Sequence, residues 1–204
     1  DSLSAAKREV YEHIGVSLQY FFRWCVHSRK NNTTAIHFDN KGVIAKIASE
    51  NNLLLKHMKL QPHLHVLLAQ QFKDTTALTD LFHVADHITT LAKSNEGLTL
   101  LGQCLKGTVM YEVFYEPSTR TRFSFWAAAR MLGMDVCFTE SAGHFSSAAK
   151  GETLEHTIRI LAGQNVHAIV LRHPDNGAAQ RAAAVVDRYF EGKVAIINAG
   201  DGSG

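Results

Sequence analysis

The sequence predicts an α/β protein: a parallel sheet flanked by helices, preceded by a mainly helical N-terminal extension. Three observations carry this expectation. From Lys106 onward, short apolar runs alternate with stretches of helical periodicity, the pattern of βαβ units. The 204 residues are 46% hydrophobic and 20% charged, the balance of a globular chain long enough to bury a core without disulfides or metals. Before about Leu60 the alternation is missing, which divides the chain into an extension, 1–60, and a sheet-forming domain, 61–204.

In the extension, Leu3, Ala6, Val10, Ile14, Leu18, Phe21, Phe22 and Cys25 recur at steps of three and four, so Leu3 to His27 is expected as a helix with one apolar stripe. Asn31 to Thr34 has loop composition, and Thr34 to Ala48 fits a hairpin turning at Gly42 or the start of a helix. Farther on, Asp74 can cap a helix whose buried stripe is Leu78, Leu81, Phe82, Ala85, Ile88 and Ala92, with Gly97 beyond its end. Then come a buried strand, Val109 to Tyr115, a helix, Thr119 to Leu132, ended by Gly133, and a strand, Asp135 to Thr139. A helix from Glu152 to Leu161 turns Leu154, Ile158 and Leu161 inward. A strand, Val166 to Leu171, an Ala-rich helix, Ala178 to Tyr189, and a last strand, Lys193 to Ala199, complete the series.

Charge and cysteine content narrow the chemistry. Lys and Arg number 21 against 19 Asp and Glu, a net charge of +2, too balanced for general affinity to nucleic acid or an anionic membrane. Any anion site is therefore local. The three cysteines, Cys25, Cys104 and Cys137, lie far apart without a CxxC pair, which points to a reducing compartment and a cytoplasmic protein. No apolar run approaches the roughly 20 residues of a membrane span. The first residues lack the basic-then-apolar order of a secretory signal, and both ends of the sequence resemble those of a piece cut from a longer protein.

In parallel α/β sheets, ligands bind beyond the carboxyl ends of the strands, so the loops at that edge are the places to look. The first is Glu116-Pro117-Ser118-Thr119-Arg120-Thr121-Arg122, between a strand and a helix. Free N–H groups and the dipole of a helix start favour an anion, and three hydroxyls with two arginines exceed what capping requires. A plain Ser cap beside a solvated Arg is the simpler alternative. No GxxxxGK is present, so a Walker-type loop is not indicated. The second loop, His144 to Glu152, is small and polar and holds Ser146 and Lys150; it is a mobile arm delivering an ammonium or an idle solvent loop. The third is Arg172-His173-Pro174 directly after a strand, and the fourth is Asn198 to Gly204, whose glycines permit close backbone approach or an ordinary turn.

Phe114-Tyr115-Glu116-Pro117-Ser118-Thr119-Arg120-Thr121-Arg122, Lys150-Gly151-Glu152-Thr153-Leu154, Leu171-Arg172-His173-Pro174 and Asn198-Ala199-Gly200-Asp201-Gly202 together resemble, in order and spacing, the aspartate carbamoyltransferases. The resemblance covers about Pro62 to Gly204 and is to that family's first, carbamoyl-phosphate-binding domain. The ornithine branch shares the Ser-Thr-Arg-Thr element, whereas Arg-His-Pro and Asn-Ala-Gly-Asp-Gly resemble the aspartate branch. The sequence stops before the family's His-Pro-Thr-Gln motif and its aspartate-binding domain, so the resemblance implies that this span alone is inactive.

What the resemblance implies is a transferase of pyrimidine biosynthesis that moves the carbamoyl group of carbamoyl phosphate to L-aspartate, without a cofactor or a metal. Ser118, Thr119, Arg120 and Thr121 would bind the phosphate. Thr121 and Arg172 would reach the carbonyl oxygen. Ser146 and Lys150 would enter the site of a neighbouring subunit in a homotrimer. Arg120, Thr121, Lys150 and Arg172 would be the catalytic set. The alternatives are a carbamoyltransferase for another amine, such as ornithine, and a non-catalytic phosphate-binding or assembly module. Among the twelve histidines, His83 with His87 and His63 with His65 have spacings seen in metal sites, but neither pair has the further ligands such a site needs. Phe125 and Trp126, within a helix, are expected to pack in the core.

Overall fold

The computed structural model describes residues 65–72, 85–86, 88–103, 105–139, 151–191 and 193–202. The expected helix from Leu3 to His27, the stretch from Thr34 to Ala48, and Asp74, Leu78, Leu81 and Phe82 of the next helix lie outside these residues. The rest of that helix is helical at 85–86 and 88–91, with Ala85 and Ile88 buried.

Four strands form one sheet in the order β2-β1-β3-β4. They are β1 (Val109–Phe114), β2 (Asp135–Thr139), β3 (Ala168–His173) and β4 (Ala195–Asp201), and every pairing is parallel. Parallel neighbours need crossovers, and helices supply them: α1 (Asn95–Leu101) before β1, α2 (Thr119–Met131) between β1 and β2, α3 (Leu154–Ala162) between β2 and β3, and α4 (Ala178–Phe190) between β3 and β4. The chain steps from β1 to β2 on one side and then crosses to β3 on the other. The β1/β3 junction is thus the point where the order reverses, where such sheets open a crevice.

The period of two in a strand divides the core. Met110, Phe114, Ala168, Val170, Ala195 and Ile197 pack with Phe125, Ala128, Ala129 and Leu132 of the α2 segment and Leu101 of α1. Val113, Ile169, Leu171 and Ile196 pack on the opposite face with Leu154, Ile158 and Ala162 of α3 and Ala178, Ala179, Ala182, Ala183 and Val186 of α4. Strands covered on both faces are apolar almost throughout, which is why β3 is buried at five of its six positions. Helix α2 ends as expected: Leu132 is its C-cap, and Gly133 follows at φ 87°, the left-handed conformation that glycine adopts without strain.

Gly97 lies beyond the end of the helix at 85–86 and 88–91, as expected, and within a further helix, α1, which begins where Ser94 accepts the Gly97 N–H at 3.0 Å; the glycine fits there because a Cβ would run into the Leu91 carbonyl. Two expectations are corrected. Strands β3 and β4 are displaced two residues toward the C-terminus, so Arg172 and His173 belong to a strand and not to the loop after it. Trp126 is exposed, whereas Phe125 beside it is buried as expected. The sheet also reaches back in sequence: Val66 forms a parallel bridge with Ile197, with Val66 N donating to Ile196 O at 2.9 Å and Asn198 N to Val66 O at 2.8 Å. His65 secures that bridge. Its Nδ1 accepts the Ile196 N–H at 3.0 Å while its Nε2 donates to Asp187 at 3.0 Å, so both ring nitrogens serve the fold.

Candidate functional site

The carboxyl ends of β1, β3 and β4 stand side by side, because Phe114 is in register with Arg172 and His173 with Asp201. The last β1–β3 ladder bond runs from Tyr115 N to Arg172 O at 2.9 Å. Past it the chain turns through Glu116 and Pro117 into Ser118, which is extended (φ −157°, ψ 95°) and occupies the N-cap position of α2. The cap is not used. The Ser118 hydroxyl makes no capping hydrogen bond, whereas Thr153 at the start of α3 accepts the His156 N–H at 3.2 Å and Ser94 caps α1. At α4 the carboxylate of Asp201 accepts the Ala179 N–H at 3.1 Å. The simple-cap alternative therefore fails at α2. Its first N–H groups precede any intrahelical acceptor and leave a partial positive charge over the sheet edge.

Four of the expected site residues occupy this turn. Thr119 and Arg120 are exposed, and Ser118 and Thr121 are half-buried. Arg120 makes no ion pair with any described residue. Arg172 comes from the neighbouring strand and is held from two sides. Its Nη1 donates to Ala199 O at 3.0 Å, and its Nε lies 3.6 Å from a Glu116 carboxylate oxygen. Gly200 (φ 118°) makes room for it, since a Cβ there would stand 2.7 Å from Nη1. Ser146 and Lys150 lie outside the described residues.

Residues of the third and fourth loops hold this edge in shape through contacts that the sequence did not indicate. Asn198 donates to Leu67 O at 2.9 Å and to Asp201 at 2.8 Å, and its own oxygen accepts the Gly200 N–H at 2.9 Å. This network, and not glycine flexibility alone, shapes the turn under Arg172. His173 Nδ1 accepts the Asp175 N–H at 3.0 Å, and its ring lies 4.5 Å from that of Tyr115, tilted by 57°. Burial holds the His173 pKa below its ordinary value, which keeps the ring neutral. Burial also pushes the Tyr115 hydroxyl up, while the nearby Thr157 hydroxyl pulls the other way. A lone carboxylate in an apolar strand, Glu112, was the one available signal of a further polar group beneath the site.

Chemically, the edge presents two guanidinium groups, three hydroxyls and an open helix start, with one partly exposed carboxylate, Glu116, beside Arg172. That set suits an oxyanion carrying a carbonyl. Among the described residues no three His, Cys, Asp or Glu side chains are grouped to hold a metal ion.

Residues 65–204 match the family described as Aspartate/ornithine carbamoyltransferase, carbamoyl-P binding domain. The chloroplastic aspartate carbamoyltransferase of Oryza sativa subsp. japonica is 51% identical over 140 residues, 68% of this chain and 36% of that protein. The aspartate carbamoyltransferase catalytic subunit of Methanosphaerula palustris is 51% identical over 100 residues, 49% of this chain and 31% of that protein. The crystal structure of aspartate transcarbamoylase from Trypanosoma cruzi, in complex with carbamoyl phosphate and aspartate, superposes with a TM-score of 0.58 at 33% identity, over 69% of this chain and 39% of that one. The chain spans about a third of the length of the curated relatives it matches.

Proposed function

The chain belongs to the aspartate/ornithine carbamoyltransferase family through its carbamoyl-phosphate-binding domain, and from that premise we propose that it binds carbamoyl phosphate for transfer of the carbamoyl group to L-aspartate. The products are N-carbamoyl-L-aspartate and phosphate, a step of pyrimidine biosynthesis. The observation that carries the reading is the unused cap of α2, with Arg120 exposed beside it and Arg172 fixed on the next strand. The names of the relatives from Oryza sativa and Methanosphaerula palustris support aspartate as the acceptor.

On this reading the residues divide the work as follows. Ser118, Thr119, Arg120 and Thr121 take the phosphate oxygens through hydroxyls, N–H groups and one guanidinium fork. The amine of aspartate attacks the carbamoyl carbon, a C–N bond forms, and the carbonyl oxygen becomes an oxyanion. Arg172 and Thr121 stabilise that charge. The intermediate collapses with loss of an amine proton and cleavage of the C–O bond to phosphate, whose charge the α2 start already compensates. Both steps gather negative charge, so fixed donors that need no rearrangement lower the barrier.

The same reading makes the assembly a homotrimer in which Ser146 and Lys150 complete a neighbouring subunit's site. It places residues 1–60 outside the transferase domain and the protein in the cytoplasm. The test of substrate is direct. The native assembly is supplied with carbamoyl phosphate and either L-aspartate or L-ornithine, and the products are separated. N-carbamoyl-L-aspartate is the expected product; citrulline would transfer the reading to the ornithine branch, and release of neither would leave a phosphate-binding module.

A further inference from the structure

Strand β1 carries one acid in an otherwise apolar run. Glu112 is 0% exposed and lies on the face of β1 that it shares with Met110 and Phe114, toward α2. Neither carboxyl oxygen has a hydrogen-bond partner. In register with it stand Phe138 on β2 and Val170 on β3, neither of them ionisable. From α2, the charge that acts on it is that of Arg122, and no other charged group among the described residues does so. Arg122 is the fourth residue of α2, and its N–H closes the first turn onto Ser118 O at 3.2 Å. Its Nη2 donates to Thr139 O, at the end of β2, at 3.1 Å. Its guanidinium rests against the rings of Phe114 and Phe138, 5.5 and 5.6 Å from their centroids. Arg122 is thus a clip joining the first turn of α2 to the end of β2, and Glu112 lies buried beneath that clip.

An unbonded buried carboxyl is a poor choice for stability, because an apolar residue of similar volume would avoid its desolvation. We propose that Glu112 is a positioning residue for the anion site: its carboxyl decides whether Arg122 stays clipped to the Thr139 carbonyl, and so where the first turn of α2 stands. The proposal rests on the reading that this turn receives the phosphate. With its proton in place, Glu112 leaves the guanidinium to Thr139. Ionised, it draws the guanidinium toward itself and the turn shifts with it. Burial raises the carboxyl pKa to about 8, against an opposing pull from Arg122, so both forms are reachable near neutrality.

The test is calorimetric titration of carbamoyl phosphate into the wild-type chain, Glu112→Gln and Arg120→Ala, one pH unit below and one above that value. Wild-type affinity is expected to fall about tenfold across the interval, while Glu112→Gln keeps one affinity at both. Equal losses in the two proteins, or no loss in the wild type, would overturn the proposal. Unfolding midpoints taken alongside separate a merely structural role, which would shift the midpoint without altering the pH dependence of binding. A second measurement needs no variant: repeating the wild-type titration near the carboxyl pKa in buffers of different ionisation enthalpy should show net proton uptake on binding, and zero uptake would sink the idea. Arg120→Ala keeps the two readings apart. If it binds like the wild type, the phosphate assignment itself fails; if it alone loses binding while Glu112→Gln follows the wild type, only the role of Glu112 fails.

Discussion

Glu112 gives the folded chain a proton that the unfolded chain does not hold. Its carboxyl ionises near its ordinary value of 4.5 when exposed and at about 8 when buried. Between those values the native state binds more protons than the unfolded state, so stability is greatest at the acid side and falls as pH rises, levelling off above about 8. We expect urea unfolding to show this decline, on the order of a few kcal/mol over the window, and Glu112→Gln to remove it. A wild-type stability that rose through the same window would contradict the burial of an ionisable acid. Residues of this kind were only partly legible in the sequence. Arg172 stood out as an arginine at a sheet edge, but its place inside β3 did not, because its tether to Ala199 and the room left by Gly200 are made by a strand distant in sequence. Glu112 was visible as an acid in an apolar run, yet its role depends on Arg122 from α2, and no periodicity reveals that pairing.

Helices α2, α3 and α4 and the first two strands were legible because an apolar period runs through each, with Gly133 stopping α2; α1, only 7 residues long, shows no such period and was missed. The boundaries of β3 and β4 were displaced for a physical reason. An apolar run reports burial, whereas a strand is defined by pairing, and at the carboxyl edge pairing continues past the apolar run into the polar residues Arg172, His173 and Asp201. The same contrast separates two helix starts. Thr153 caps α3, so Thr153→Ala should lower unfolding stability by about 1 kcal/mol. Ser118 caps nothing, so Ser118→Ala should stay within about 0.5 kcal/mol of the wild type while weakening carbamoyl phosphate binding. A stability loss at Ser118 as large as that at Thr153, with binding intact, would return Ser118 to an ordinary capping role.

At the scale of the molecule, two apolar clusters on opposite faces of the sheet hold its strands in place, and the carboxyl ends of β1, β3 and β4 bring three separate sequence motifs together. The fourth motif, with Ser146 and Lys150, leads to the shared-site proposal. Mixing inactive Arg120→Ala and Lys150→Ala subunits in the native assembly should restore activity, since some boundaries in hybrid trimers then hold both intact groups. No recovery after verified subunit exchange would place Lys150 in its own chain's site. The central claim, that the first turn of α2 is the phosphate site, is tested most directly by titrating carbamoyl phosphate into the wild-type chain and into Arg120→Ala, with folding checked by circular dichroism. Arg120 is exposed, so the account predicts a folded variant that releases no binding heat, beside a wild type that binds. An Arg120→Ala chain that binds carbamoyl phosphate as tightly as the wild type would contradict it.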